Sequence, residues 1–97
     1  MKISGKEVGP KSPTFLIAEI AQAHDGSIGI AHSYIDAMAE IGVDAIKFQT
    51  HLADSESTRD DKFRINFSRQ DDNRLAYWKR MEFSRAQWEQ LLDHAHN

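Results

Sequence analysis

The sequence predicts an α/β chain in which helices cover parallel strands, and three observations carry that prediction. Residues 14–20 are almost wholly apolar, as in a strand buried on both faces. Residues 27–42 carry helix signals at both ends and an apolar stripe between them. Residues 43–49 then read as a second strand, so strand, helix and strand fall within about 35 residues, the span of a βαβ unit.

In chain order, residues 1–13 are punctuated by Gly5, Gly9, Pro10 and Pro13, with Ile3 and Val8 as isolated apolar positions. They read as a lead-in hairpin over one end of the first strand. A loop at 21–26 follows that strand. Ser27 is placed to cap the helix, Ile30, Ala31, Tyr34, Ile35, Met38 and Ile41 form its stripe, and Gly42 suits a left-handed stop. Residues 50–72 are polar and charge-dense; so long a stretch inside a compact domain is functional or disordered. Within it Phe63, Ile65 and Phe67 alternate, as in a short strand or a docking segment. Residues 73–81 predict a short helix. A better-marked one begins at Ser84, where Ser84 and Gln87 form a capping box and Phe83 and Trp88 a hydrophobic staple. Trp88, Leu91, Leu92 and Ala95 are its expected buried face. The organisation is therefore one segment, 1–97, with a lead-in at 1–13 and βαβα at 14–97.

Bulk properties exclude several classes. The 97 residues suit one domain at most, short for an enzyme with a deep pocket. A net charge of −3 supplies no basic field for phosphates, so no nucleic-acid partner is expected. The apolar run at 15–20 contains Glu19 and is far too short to span a bilayer, so no membrane is expected either. Residues 1–5 have no apolar signal core. The chain has no cysteine, which rules out disulfides and fits a cytoplasmic protein.

Side chains alternate across a strand, so Phe15, Ile17 and Glu19 share one face of the first, and Ala45, Lys47 and Gln49 one face of the second. Ile46 and Phe48 suit the helix-covered side, which turns Glu19, Lys47 and Gln49 the other way, each near its strand's C-terminal end. A charge in an apolar strand is costly unless paired or solvated, and in parallel α/β folds that strand end is where sites assemble. Two readings stand side by side: a structural Glu19–Lys47 ion pair, or a binding site to which Gln49 adds a neutral hydrogen-bonding group. His24, Asp25 and Gly26 lie on the same rim. The His-Asp pair can transfer protons, ligate a metal or contact substrate; equally, Asp25 and Gly26 simply make the turn before the helix. The helix start at Ser27 can attract an anion, beside its plainer role as a cap. His32 reads as ordinary helix surface, and His51 opens the polar stretch without an assignment. His94 and His96, two apart on a helix, diverge, which disfavours a shared metal. The acidic residues of 54–72 lack a calcium-loop pattern, and Trp78, Phe83 and Trp88 read as core or staple because no basic groove accompanies them.

The run Phe15-Leu16-Ile17-Ala18-Glu19-Ile20, then His24-Asp25-Gly26, then Asp44-Ala45-Ile46-Lys47-Phe48-Gln49-Thr50 resembles the N-terminal barrel strands of the N-acetylneuraminate (sialic acid) synthase family. Trp78-Lys79-Arg80-Met81-Glu82-Phe83-Ser84 resembles the run leading into that family's second barrel helix. The resemblance covers 14–97 and implies a truncated TIM (β/α)8 barrel, of which this chain is the first two βα units. It implies a carbohydrate-biosynthetic transferase that condenses phosphoenolpyruvate with an N-acetylated amino sugar, as a cytoplasmic homodimer in its full-length form. The resemblance further implies that enol C3 attacks the sugar's open-chain aldehyde, that water adds at C2, and that phosphate leaves by C–O cleavage. A divalent metal, Mn2+ or Mg2+, is implied, with ligands outside this chain. Glu19 and Lys47 are the implied catalytic residues, as an orienting or proton-transfer carboxylate and a counter-charge to phosphoenolpyruvate. Gln49, His24 and Asp25 are the implied substrate contacts. Where the family often carries Gly-x-Asn, this chain has Ala21-Gln22-Ala23, which leaves N-acetylneuraminate, legionaminate and pseudaminate types open as product. Two alternatives stand beside the enzyme segment: a stand-alone α/β binding module without catalysis, or another phosphoenolpyruvate-using 3-deoxy-sugar-acid synthase. Two strands with open edges disfavour the isolated module.

Overall fold

A computed structural model of the chain describes residues 1–56, 58, 63 and 71–96. β1 (Lys2–Ile3) and β2 (Lys6–Glu7) pair antiparallel across Ser4 and Gly5, both at positive φ, so the lead-in is a tight hairpin. β3 (Ile17–Ala21) and β4 (Ala45–Phe48) pair in parallel, joined by α1 (Ile28–Ile41). α2 (Ala53–Glu56), α3 (Arg74–Met81) and α4 (Arg85–His96) follow, giving a mixed α/β architecture. Asp44, at the entry to β4, ties the parts together: it accepts from the Leu16 N–H at 2.8 Å and pairs with Lys6 of the hairpin. The Lys6 ammonium and then the Leu16 N–H hold its carboxyl below the ordinary range.

The helix ends follow their sequence signals. Ser27 accepts from the Ile30 N–H at 3.2 Å, and Gly42, at φ 89°, donates to the Met38 and Ala39 carbonyls. Asn73 accepts from the Ala76 N–H and starts α3. At α4 the capping box is reciprocal: the Ser84 N–H donates to Gln87 Oε1 at 2.8 Å and the Gln87 N–H to Ser84 Oγ at 3.2 Å. The staple is an edge-on Phe83–Trp88 contact with ring centres 5.2 Å apart.

The core gathers Ala31 and Ile35 of α1 with Phe83 and Leu91, and Ile46, Phe48 and Trp88 pack against it. Helices therefore cover one face of the β3–β4 sheet. The other face is open, and Ile17 is 58 % exposed there, which corrects the expectation of a strand buried on both sides. The apolar run was a sound strand signal, but burial of its second face needs a layer that these residues do not supply. For the same reason Leu92 and Ala95 are exposed rather than buried. They line an open apolar groove with Ile46, Phe48, Thr50, Trp88 and Leu91. Phe63 lies edge-on to Tyr77, whereas Ile65 and Phe67 fall outside the described residues. Among the described residues no helix is long and apolar enough to cross a membrane.

Candidate functional site

The β3–β4 register sets Glu19 directly beside Lys47, on the open face and near the C-terminal strand ends. Lys47 Nζ stands 3.9 Å from Glu19 Oε1, and the Gln49 Nε2–H donates toward the same oxygen at 3.5 Å. Both contacts are long and the two charges are about half exposed, so this is a solvated cluster rather than a structural lock. The line continues through His51, whose Nε2 is 3.1 Å from Gln49 Oε1. His51 Nδ1 lies 3.0 Å and 3.1 Å from the two Glu56 carboxylate oxygens, and its ring stacks on Trp78 with centres 4.0 Å apart. That ring N–H is the main cause holding the Glu56 carboxyl below its usual range. Glu56 in turn accepts from the Leu52 N–H at 2.8 Å and closes the short α2 turn. Sequence reasoning left His51 unassigned and gave Trp78 to the core. The usable signal was that Gln49 and His51 are two apart at a strand end, a spacing that keeps them on one side.

The 21–26 loop is built differently. Ala21 occupies a left-handed conformation, φ 51°, at the position where the resembled family often carries Gly. A Cβ there costs about 1–2 kcal/mol, against roughly 0.5–1 kcal/mol of extra chain entropy for glycine. Ala21→Gly is therefore expected to stabilise the chain modestly, read as a melting temperature a few degrees higher. An unchanged or lower value would show an unstrained turn.

His24 is 0 % exposed. Its ring packs on Phe83 at 4.5 Å, and Nδ1 accepts from the Gly26 N–H at 3.0 Å. With Nδ1 accepting, the neutral ring carries its proton on Nε2, which is buried without a partner among the described residues. Burial lowers the pKa below 6.5, opposed by the Asp25 charge. The unfolded chain thus takes up this proton first as pH falls. The stability contributed by neutral His24 is full above 6.5 and is lost as pH drops below it. Between pH 7 and 5 the wild-type chain is expected to lose more stability than His24→Asn, which keeps an acceptor for Gly26 but does not titrate. Parallel losses in denaturant melts would remove His24 as the cause.

Asp25 is held in an ion pair with Arg80: Arg80 Nη1 donates to Asp25 Oδ1 at 2.8 Å and to its carbonyl at 3.0 Å. The same guanidinium makes a forked contact with Asp71, at 2.8–3.1 Å, and these two carboxylates raise its pKa. The structure thus gathers Glu19, Lys47 and Gln49 on one face, places His24 inside beneath Phe83, and engages Asp25 with α3.

His32 is not plain surface. It stacks on His94 with Nδ1 atoms 2.6 Å apart, and His94 Nε2 is 2.7 Å from Asp36, across the α1–α4 seam. Sequence spacing cannot show such a pair, because its members are 62 residues apart. Among the described residues no group of three or more His, Cys, Asp or Glu side chains could hold a metal ion.

Fold and site together define a mixed α/β chain with an acid, a lysine and an amide on one strand-end face. The chain belongs to the NeuB family, whose profile matches residues 34–97. It is 49 % identical over 53 residues to the spore coat polysaccharide biosynthesis protein SpsE of Bacillus subtilis, covering 55 % of this chain and 14 % of that protein. It is 33 % identical over 93 residues to the N-acetylneuraminate-9-phosphate synthase of Mus musculus, covering 94 % of this chain and 26 % of the relative. With the N,N'-diacetyllegionaminic acid synthase of Legionella pneumophila the identity is 42 % over 55 residues, 56 % of this chain and 15 % of the relative. The chain thus spans about a quarter or less of these relatives. No solved structure matches it.

Proposed function

We propose that this chain forms one wall of the active site of a nonulosonic acid synthase. In this reading it is part of a longer polypeptide that condenses phosphoenolpyruvate with an N-acetylated amino sugar and releases phosphate. The supporting observation is the Glu19–Lys47–Gln49 cluster on one open face at the strand ends. Its chemistry suits the task. Lys47 supplies a mobile point charge for the phosphoenolpyruvate anion, and Glu19 is an acceptor-only carboxylate that orients or takes a proton near the reacting carbons. Gln49 offers one donor and one acceptor to a polar substrate. In this reading β3 and β4 are the first two strands of a (β/α)8 barrel, and further strands cover the face on which Ile17 is exposed. Buried His24 then shapes the rim from beneath, and Asp25 reaches substrate only by sharing or leaving Arg80. A divalent cation, Mn2+ or Mg2+, would be held by residues outside these 97.

The test is phosphate release from phosphoenolpyruvate by the intact gene product, first with N-acetylmannosamine and then with modified amino sugars. Amino-sugar-dependent release is the expected result. Silence with every amino sugar, alongside activity with an unacetylated aldose, would move the chain to the 3-deoxy-sugar-acid synthases.

A further inference from the structure

We propose that His51 is a positioning residue: held by Glu56 and the Trp78 ring, it sets which end of the Gln49 amide faces Glu19. Glu56 accepts, so Nδ1 of His51 carries a proton toward it. In the observed arrangement the Gln49 oxygen faces His51 Nε2 and the Gln49 nitrogen faces Glu19 Oε1. A carbonyl oxygen accepts, so in this arrangement Nε2 donates as well. If His51 loses the Nε2 proton, that nitrogen becomes an acceptor, and the amide must turn to donate to it. Its oxygen then faces the Glu19 carboxylate, acceptor against acceptor, and Glu19 Oε1 loses its amide donor. The proton on His51 Nε2 thus decides whether the Gln49 amide donates to Glu19 Oε1.

Among the described residues three elements supply the groups that face His51. Glu56 comes from α2, Gln49 from the end of β4, and α3 contributes the uncharged Trp78 ring. Lys47 enters only through Glu19. The ring stack and the carboxylate fix the imidazole in one orientation, which a free surface histidine lacks. Both contacts to Glu19 fall on Oε1, so the clamp also decides which carboxylate oxygen stays outside them.

The kinetic part rests on the synthase reading; the amide part does not, and the experiment separates them. In the intact gene product with 15N-labelled glutamine, the Gln49 side-chain amide signals are expected to move with pH at the midpoint of the His51 ring signals. His51→Phe keeps a ring on Trp78 and is expected to abolish that movement, with the melting temperature within about 3 °C of wild type. In the phosphate-release assay the same variant is expected to lower kcat about tenfold with little change in KM. His51→Gln, which restores a donor near the Nε2 position, is expected to recover at least a third of the wild-type rate. Gln49→Ala combined with His51→Phe is expected to be no slower than Gln49→Ala alone. Gln49 signals that ignore the His51 midpoint in the wild-type protein overturn the proposal whatever the variants do. Fully additive kinetic losses also overturn it. A Gln49 amide that follows His51 in a protein without synthase activity would uphold the positioning role and sink the synthase reading.

Discussion

Gly26→Ala is expected to destabilise the chain by about 3 kcal/mol or more. Two independent penalties add. Gly26 sits at φ 78°, where a Cβ costs about 1–2 kcal/mol. A methyl group built there also falls inside the van der Waals distance of the Arg80 carbonyl, and backbone cannot step aside as a flexible side-chain tip would. Overpacking of this kind costs typically 1–3 kcal/mol. The position matters because Arg80 holds the loop twice, its carbonyl against Gly26 and its guanidinium on Asp25. Pushing the two apart also disturbs the Gly26 N–H contact to His24 and the ring packing on Phe83. For a chain of this size the expected drop in melting temperature is roughly 12 °C or more. A drop under about 3 °C would mean that α3 approaches this loop less closely.

Glu19→Gln and Lys47→Ala are each expected to lower synthase turnover at least tenfold in the intact gene product, about 1.4 kcal/mol of barrier. The same substitutions are expected to leave the melting temperature nearly unchanged, because an exposed pair at 3.9 Å contributes at most about 1 kcal/mol. This split is what separates the two readings of the pair. A binding and catalytic role moves turnover and spares stability; a structural ion pair does the reverse. Normal kinetics with a lowered melting temperature in both variants would return Glu19 and Lys47 to a structural role.

Local chemistry made much of the architecture legible. Ser27, Gly42 and the Ser84–Gln87 box act within a turn of themselves, so their hydrogen bonds can be read from neighbouring residues. Period-two alternation placed Glu19, Lys47 and Gln49 on one face for the same reason, since it depends only on backbone geometry. Apolar content misled where it stood in for burial. Ile17, Leu92 and Ala95 are as apolar as core residues, but exposure depends on what lies across from them.

What the sequence by itself determined, then, is the order of β3, α1, β4, α3 and α4, the caps of α1 and α4, and the strand-end face that carries an acid, a lysine and an amide; the short α2 within the polar stretch was not among them. Tertiary structure decided which distant groups meet there and elsewhere. It brought Trp78 over His51, drew Arg80 onto Asp25 and Gly26, buried His24 beneath Phe83, and paired His32 with His94. Each of these contacts joins residues 27 to 62 positions apart, and no local propensity encodes them. They form because Met81 of α3, Leu91 of α4 and Phe83 between them must be buried, and that packing carries Trp78, Arg80 and His94 to their partners.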